Sequence, residues 1–357
     1  VGRADRYVLT GFGLTLFFTL ALIAVLFVVA DAFQNLDEFV LHLRRSGAWG
    51  GLGLLGRYYA AKFLVSVGSF GEIAAVAPAV VFAASMARSN EFVAVLAAGR
   101  SLPRAVLPVF AGCAAVGAAA FCLRTAAGPT LVRSENASAR VIFDRAKTMG
   151  GALSVQGRSG ATSCALSVEE YDPASRRARG FRACLVEPTA PFVDIRAASA
   201  EWDSSRGAWV FSPAAKKWSY PVSAGGPAVE ELAEFPTCLG PDLLEAEEMG
   251  PGVLSTGALF RERSRPELAA ALHERLALLL SPVALALAAV PFVLTTDRSR
   301  VFTGVAVAAL VIALYEVVAR SFVAAVASGH LPALVGAWLP PVAFGAAGAL
   351  GLKRIGT

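Results

Sequence analysis

The sequence is poor in charge and in histidine. Of its 357 residues only 17% are charged and 3 are His, whereas 56% are hydrophobic and the mean hydropathy is +0.59. So little charge excludes an ordinary soluble domain of this length. The charges that exist cluster between long apolar runs, the pattern of membrane spans. Scarce His excludes a zinc protease: His273-Glu274 opens an HExxH pattern, but Ala277 stands where the second His belongs. No GxxxxGK[ST] stretch exists, so any ATP chemistry has to come from a partner. No Lys/Arg cluster is interleaved with aromatics. The net charge of +5 and the pI near 9.1 therefore read as basic membrane loops rather than a nucleic-acid surface. No Ser/His/Asp set forms a recognisable motif, so neither a catalytic constellation nor a metal site is expected. Internal repeats are absent, and so is low complexity beyond Ala-rich runs.

Six apolar runs are present, at about 7–32, 63–86, 105–123, 276–294, 301–326 and 331–352. Each has about the ~20 residues a bilayer-spanning helix needs. The first is too long for a cleavable signal peptide and lacks a convincing cleavage site, so it is expected to remain as the first span. Fold class follows: an α-helical polytopic membrane protein of six spans, three plus three, around an inserted domain. Spans 1–3 occupy 1–127, the inserted domain 128–265 and spans 4–6 266–357. Arg3 and Arg6, then Arg88, Arg100 and Arg104, then Arg298 and Arg300, and last Lys353 and Arg354, fall on one side, which the positive-inside rule makes cytoplasmic. The first outer loop weakens the rule, because it carries Arg44, Arg45, Arg57 and Lys62. Its glycines (Gly47, Gly50, Gly51, Gly53, Gly56) predict partial flexibility. Gly51 to Gly56 matches GxGxxG literally, but it follows a membrane span and not the strand of a βαβ unit.

The inserted domain then lies outside, and its texture is β. Segments 161–171, 179–187, 192–202, 208–211 and 217–222 are strand-like, with turn-rich Asp172 to Ser175 and Asp203 to Gly207 between them. Many short strands and polar turns predict a sandwich or jelly roll. Cys164 and Cys184 flank the first hairpin almost symmetrically. An oxidising compartment would allow a disulfide between them; Cys238 is a competing partner, and two buried thiols are the alternative. Cys113 and Cys122 read as packing residues in an apolar run. Asn136-Ala137-Ser138 is a sequon of the kind that recurs by chance.

Ionisable groups in spans are costly and mark candidate sites. Glu72 falls in the outer half of span two. Glu316 and Arg320 stand at i, i+4 in span five and can pair on one face. Arg124 and Arg133 follow span three. Any one of these is explained by snorkelling or structural pairing. Together, the outer cations Arg44, Arg45, Lys62, Arg124, Arg133 and Arg320 suit an anionic lipid headgroup, Arg being matched to phosphate.

Between spans two and three, residues 88–100 read as a short amphipathic helix. Ser89 or Asn90 suits its cap, Glu91 its first turn and Gly99 its stop. Phe92, Val95, Leu96 and Gly99 share one face. Such a helix can dock into a partner's groove or lie on the membrane. The segment from Met86 to Ser101 resembles the stretch joining spans two and three in the LptF/LptG (YjgP/YjgQ-type) permease family. Four other regions agree: Tyr58-Tyr59 with Pro78; Ala197 to Trp202 with Gly207-Ala208-Trp209; Glu267 and His273 to Ala277 with Ser281-Pro282; and Tyr315 with Trp338-Leu339-Pro340. The likeness covers nearly the whole chain, with the order and spacing of these segments kept.

That resemblance implies a permease subunit in the inner membrane of a Gram-negative-type bacterium, its middle domain a periplasmic jelly roll. It implies a homologous second permease subunit, a cytoplasmic ABC ATPase dimer and a periplasmic bridge protein with a single membrane anchor. The cargo is lipopolysaccharide, taken from the outer leaflet and passed to the bridge. The chain itself binds no cofactor; ATP and Mg are used by the partner ATPase. Carried over by position, Arg88, Glu91 and Gly99 contact that ATPase. One departure stands out. Family members often place Lys or Arg at the outer end of span one, where this chain reads Asp31-Ala32-Phe33-Gln34-Asn35. Either headgroup contacts have moved to Arg44, Arg45, Arg124 or Arg320, or the cargo's charge differs. The alternatives are another ABC lipid or lipoprotein permease, usually of four spans, a membrane-embedded enzyme, or a scaffold without transport.

Overall fold

The computed structural model describes residues 3–97, 99, 101–143, 149–159, 162–173, 175–187, 191–220, 226–237, 239–294 and 298–355. Cys238, Ala161, Ala174, Arg100 and the last two residues of segment 217–222 lie outside them, and so do the side chains of Phe92, Leu96, Arg298 and Arg354. The chain forms two compact units, Val1–Glu135 with Ser255–Thr357, and Asn136–Leu254.

The first unit is helical. α1 (Arg3–Gln34) carries no charge between Tyr7 and Ala30, about 36 Å of helix at ~1.5 Å per residue, enough for a ~30 Å hydrocarbon core. Much of it is exposed, as Phe17, Phe18, Leu22 and Leu26 show. Its buried end packs by ring-on-glycine contacts: Phe12 lies where a side chain on Gly112 would be, and Phe82 does the same to Gly11. α2 (Leu36–Ser46) and α3 (Ala48–Ser69) follow.

The glycine-rich stretch is therefore helix, not flexible loop. Gly47, at φ +76°, makes the turn, and Gly50, Gly51, Gly53 and Gly56 lie within α3. A Cβ on Gly51 would come within 2.7 Å of the Leu43 side chain, so the missing side chain lets α2 and α3 touch. The expected second span is split at Phe70. α4 (Gly71–Arg88) carries its apolar part, and α5 (Glu91–Ala97) hangs from its end.

α6 (Leu102–Cys122) continues through a π turn, Leu123–Ala127, into α7 (Gly128–Ile142), so residues expected to begin the β domain are helical. α8 (Pro241–Met249) belongs to the second unit. α9 (Thr256–Arg261) precedes the expected fourth span, which is broken: α10 (Pro266–Ala277) and α11 (Ser281–Ala289) meet at Leu278–Leu280, bent by 62°. Pro282, with no N–H to donate, begins the second arm. α12 (Val301–Ala327) and α13 (Ala333–Ile355) complete the bundle. Among the described residues 5 helices are long and apolar enough to cross a membrane, and the bent pair makes 6 if it counts as one span. Their common core centres on α4, where Ala75, Val76 and Ala79 are fully buried.

The second unit holds six strands: β1 (Met149–Ser159), β2 (Thr162–Asp172), β3 (Arg177–Val186), β4 (Phe192–Asp203), β5 (Ala208–Tyr220) and β6 (Ala228–Pro236). All neighbours pair antiparallel in chain order, one up-and-down sheet. The expected jelly roll thus shows none of its Greek-key crossovers among the described residues; consecutive hairpins do the pairing. Segments 208–211 and 217–222 belong to one strand, because a register shift between Val210 and Ala215 absorbs Pro213. One face is apolar: Leu166, Val168, Phe181, Ala183, Ile195 and Trp209 are buried. Trp209 Nε1 donates to the Leu239 carbonyl at 3.1 Å, so its one polar atom is satisfied in the core.

Of the alternatives for Cys164 and Cys184, the structure has free thiols and no bridge between the two. The register places Cys164 opposite Leu185 and Cys184 opposite Ala165, one residue out of step, so the two thiols leave the sheet on opposite faces. Cys184 Sγ instead lies 3.5 Å from Asp194 Oδ1. Asp194 is almost wholly buried, beneath Arg182 (3.0 and 3.1 Å) and Arg196 (2.9 and 2.6 Å). Burial opposes its ionisation, but the hydrogen bonds and charges of the two guanidinia outweigh burial and hold the carboxyl below its ordinary value. A folded value below the unfolded one, about 3.9, means the stabilisation is complete above that value and is lost as pH falls through the folded one. Acid titration followed by tryptophan near-ultraviolet dichroism is expected to show this unit weakening below about pH 4, and Asp194→Asn is expected to reduce that pH dependence. An unchanged acid profile in the variant would remove Asp194 from the account.

Candidate functional site

Three groups of side chains in the helical unit carry the chemistry. The first is at the α4–α5 elbow. α4 ends at Arg88, Ser89 caps it, and Asn90 adopts a left-handed conformation at φ +60°. Asn tolerates that region better than most residues, and it reverses the chain sharply enough for α5 to restart at once. Glu91 opens α5 and accepts a hydrogen bond from the Tyr7 hydroxyl of α1 at 3.1 Å. The Arg88 guanidinium lies over the exposed Phe302 ring at 5.1 Å, which brings the start of α12 to the same end. Val95 is half-buried and Gly99, at φ +81°, lies just beyond the helix. Gly99 thus takes the stop position its residue type suggested.

The second group lies at the bend of the broken helix pair. Glu274, near the end of α10, accepts from Arg124 at 3.2 Å and faces Arg320 at 3.5 Å. Arg124 sits in the π turn, a widened helical turn of the kind that often marks functional sites. Arg320 also pairs with Glu316 at 3.5 Å, donates to the Ser69 carbonyl at 3.3 Å and lies over Phe70 at 4.8 Å. The expected Glu316–Arg320 pair is present, and it is one link in a chain of alternating charge, Arg124–Glu274–Arg320–Glu316. Around it, Ser281 donates to Glu72 at 3.0 Å, Trp338 Nε1 to His273 at 3.3 Å, and the buried Arg275 to Thr256 at 3.3 Å. These side chains are thus partnered, as a low-dielectric setting favours, although Arg275 Nε and the Thr125 hydroxyl are buried without a hydrogen bond of their own.

The third group joins α1 to α3. Lys62 Nζ lies 2.6 Å from Asp31 and 2.8 Å from the Tyr58 hydroxyl, with the Phe27 and Tyr58 rings at 5.4 and 5.0 Å. Tyr59 donates to the same carboxylate at 3.0 Å. A cation thus does lie at this end of α1, on the neighbouring helix α3 and paired with Asp31.

Of the expected headgroup residues, Arg124 and Arg320 come together and Lys62 forms its own cluster. Arg44 and Arg45 are exposed in the last turn of α2, and Arg133 is half-buried on α7. Glu274, Asp31 and Ser281 were not read from the sequence as members of these groups. The signal for Glu274 was available: charged His273-Glu274-Arg275 directly precedes an apolar run, which is costly unless the groups are paired. In the second unit, a cavity of about 400 Å³ on the apolar side of the sheet is lined by Leu185, Val193, Ile195, Leu232 and Phe235, with Lys217 and Glu234 at its walls. Lys217 pairs with Glu230 at 3.0 Å. Among the described residues no cluster of His, Cys, Asp or Glu could hold a metal ion.

Compared with known proteins, the chain matches the sequence model of one family, described as lipopolysaccharide export system permease LptF/LptG, over residues 6–354. No curated protein matches it.

Proposed function

The chain belongs to the LptF/LptG family of lipopolysaccharide export permeases, and from that premise we propose that it is one permease subunit of an ATP-driven exporter in the inner membrane. It pairs with a homologous subunit, is driven by a cytoplasmic ABC ATPase dimer, and passes lipopolysaccharide from the outer leaflet to a periplasmic bridge. The β unit is then periplasmic, and its apolar cavity has the lining an acyl chain requires. The observation that carries this reading is the α4–α5 elbow. A seven-residue helix hung from a span by a left-handed Asn90 and tied to α1 through Tyr7–Glu91 can transmit a push to two spans at once. Arg88, Glu91, Phe92, Val95, Leu96 and Gly99 form its contact with the ATPase.

Charge pairing narrows the headgroup candidates. Lys62 is held by Asp31, and Arg124 and Arg320 are held by Glu274 and Glu316. A lipid phosphate would have to compete with those carboxylates. Arg44, exposed in the last turn of α2, meets it at less cost.

Glu91→Lys tests the coupling role. In the assembled complex it is expected to weaken ATPase retention by roughly tenfold or more, by placing the opposite charge in the contact. Tyr7→Phe removes the same internal hydrogen bond without reversing charge and is expected to retain the ATPase. Equal retention by wild type and Glu91→Lys, with folding intact, would sink the coupling role.

A further inference from the structure

The polar face of the sheet carries a row of cations that the proposed function does not use. The register sets Arg182 opposite Arg196, and Arg196 opposite Lys216, across β3, β4 and β5. Neighbouring strands are about 4.8 Å apart, and like charges directly opposite one another destabilise a sheet pair. One carboxylate on that face, Asp194, takes both guanidinia. Three cations, Asp194 and the in-register Glu231 leave a local charge of about +1. Glu231 faces Lys216 in register, and no ion pair joins them among the described residues.

The two guanidinia are half exposed, at 49% and 53%, and both are fixed. Arg182 grips Asp194 with Nε and Nη2, and Arg196 does the same while lying over Trp218 at 5.2 Å. A guanidinium has five N–H donors, so each keeps donors beyond those Asp194 takes. The ordering cost of two long side chains is thus met before any ligand arrives. The Ser167 hydroxyl, opposite Arg182, adds a neutral donor beside them.

We propose that this face is a phosphate-binding site, in which Arg182, Arg196 and Lys216 hold the oxyanion and Asp194 with Trp218 fixes the two forks. The residual positive charge attracts a phosphate oxyanion, and paired forks match its oxygens. The site lies on the opposite face of the sheet from the apolar cavity, so the proposal does not depend on the transport reading.

The test uses the full chain in phosphatidylcholine nanodiscs with inorganic phosphate as the probe, followed by ³¹P line width. Lys216→Gln, a change at an exposed side chain, is expected to weaken binding about fivefold. Arg196→Lys keeps the charge but loses the fork, and is expected to weaken it similarly. Asp194→Asn separates an organised site from diffuse charge. It makes the face more positive, so diffuse attraction would tighten binding, whereas loss of the template loosens it. Near-ultraviolet dichroism checks that each variant is folded, and Lys216→Gln decides if Asp194→Asn is not. Unchanged binding in Lys216→Gln, or tighter binding in folded Asp194→Asn, overturns the proposal. Repeating the titration in nanodiscs containing phosphatidylglycerol identifies the source. Loss of probe binding there shows that lipid headgroups fill the site; retained binding shows that its ligand is a soluble phosphate compound.

Discussion

Gly348→Ala is expected to destabilise the helical unit by about 3 kcal/mol or more, whereas Gly351→Ala, less than one turn further along α13, is expected to leave it unchanged or slightly more stable. The difference lies in what each new methyl group would meet. At Gly348 a Cβ would lie 2.2 Å from the Leu287 carbonyl oxygen, 2.3 Å from its carbon and 2.4 Å from the Ala288 nitrogen. All three are backbone atoms of α11, so no side chain can rotate away, and the two helices must separate. At Gly351 nothing lies within 4 Å, and Ala is the better helix former. Small residues permit such close backbone approach between helices in lipid, where packing replaces the hydrophobic effect as the driving force. Thermal unfolding of the detergent-solubilised protein measures both changes, with a fall of roughly 5–10 °C expected for Gly348→Ala alone. A fall of equal size in both variants would show that α13 does not seat on α11 through Gly348.

That contact also marks where sequence reading stops. The charge-free stretch from Tyr7 to Ala30 reads as a span on hydropathy alone, and the structure makes it one unbroken helix long enough to cross a membrane. Hydropathy is blind to the direction of the backbone, however. The apolar run 276–294 continues past Leu278–Leu280, where the chain turns by 62°, and only Pro282 hints at the turn. The glycines of 47–56 suggested flexibility because each costs a helix about 1 kcal/mol. What offsets that cost, the close approach of α2 to Gly51, is a tertiary fact. β6 went unread because Glu230, Glu231 and Glu234 lower its β propensity, and β5 was divided because Pro213 reads as a break. The cysteine spacing looked symmetrical, yet a one-residue offset in register decides which face each thiol occupies. Among the site residues, Glu316–Arg320 was legible because i, i+4 is local geometry. The Lys62–Asp31 pair was not, and so Asp31 looked like a plain loss of charge. Pairs that join distant helices leave no periodic trace.

The bend pairs residues 150 apart in sequence, Arg124 with Glu274, and Glu274→Gln is the change expected to disturb it most. Glu274 holds two guanidinia, and Arg124 and Glu274 are only 16% and 22% exposed. Removing the acid leaves Arg124 largely buried without that carboxylate, while Arg320 retains Glu316 at 3.5 Å. Loss of one partner from a partly buried pair is expected to cost about 1–3 kcal/mol, below the cost at a fully buried site because all four side chains are partly exposed. A double-mutant cycle separates the hub from its surroundings. Glu274→Gln and Arg124→Gln remove the same contact, so their combined effect is expected to fall short of the sum by roughly 1 kcal/mol or more. Glu274→Gln with Glu316→Gln is expected to exceed its sum, because together they strip Arg320 of both acids. Additivity in both cycles, read from thermal unfolding, would mean that the four charges at the bend do not act as one network. If they do, Arg124 on the π turn, Glu274 on α10 and Arg320 on α12 are bound to move together, and α10 cannot swing away from α12 without breaking an ion pair.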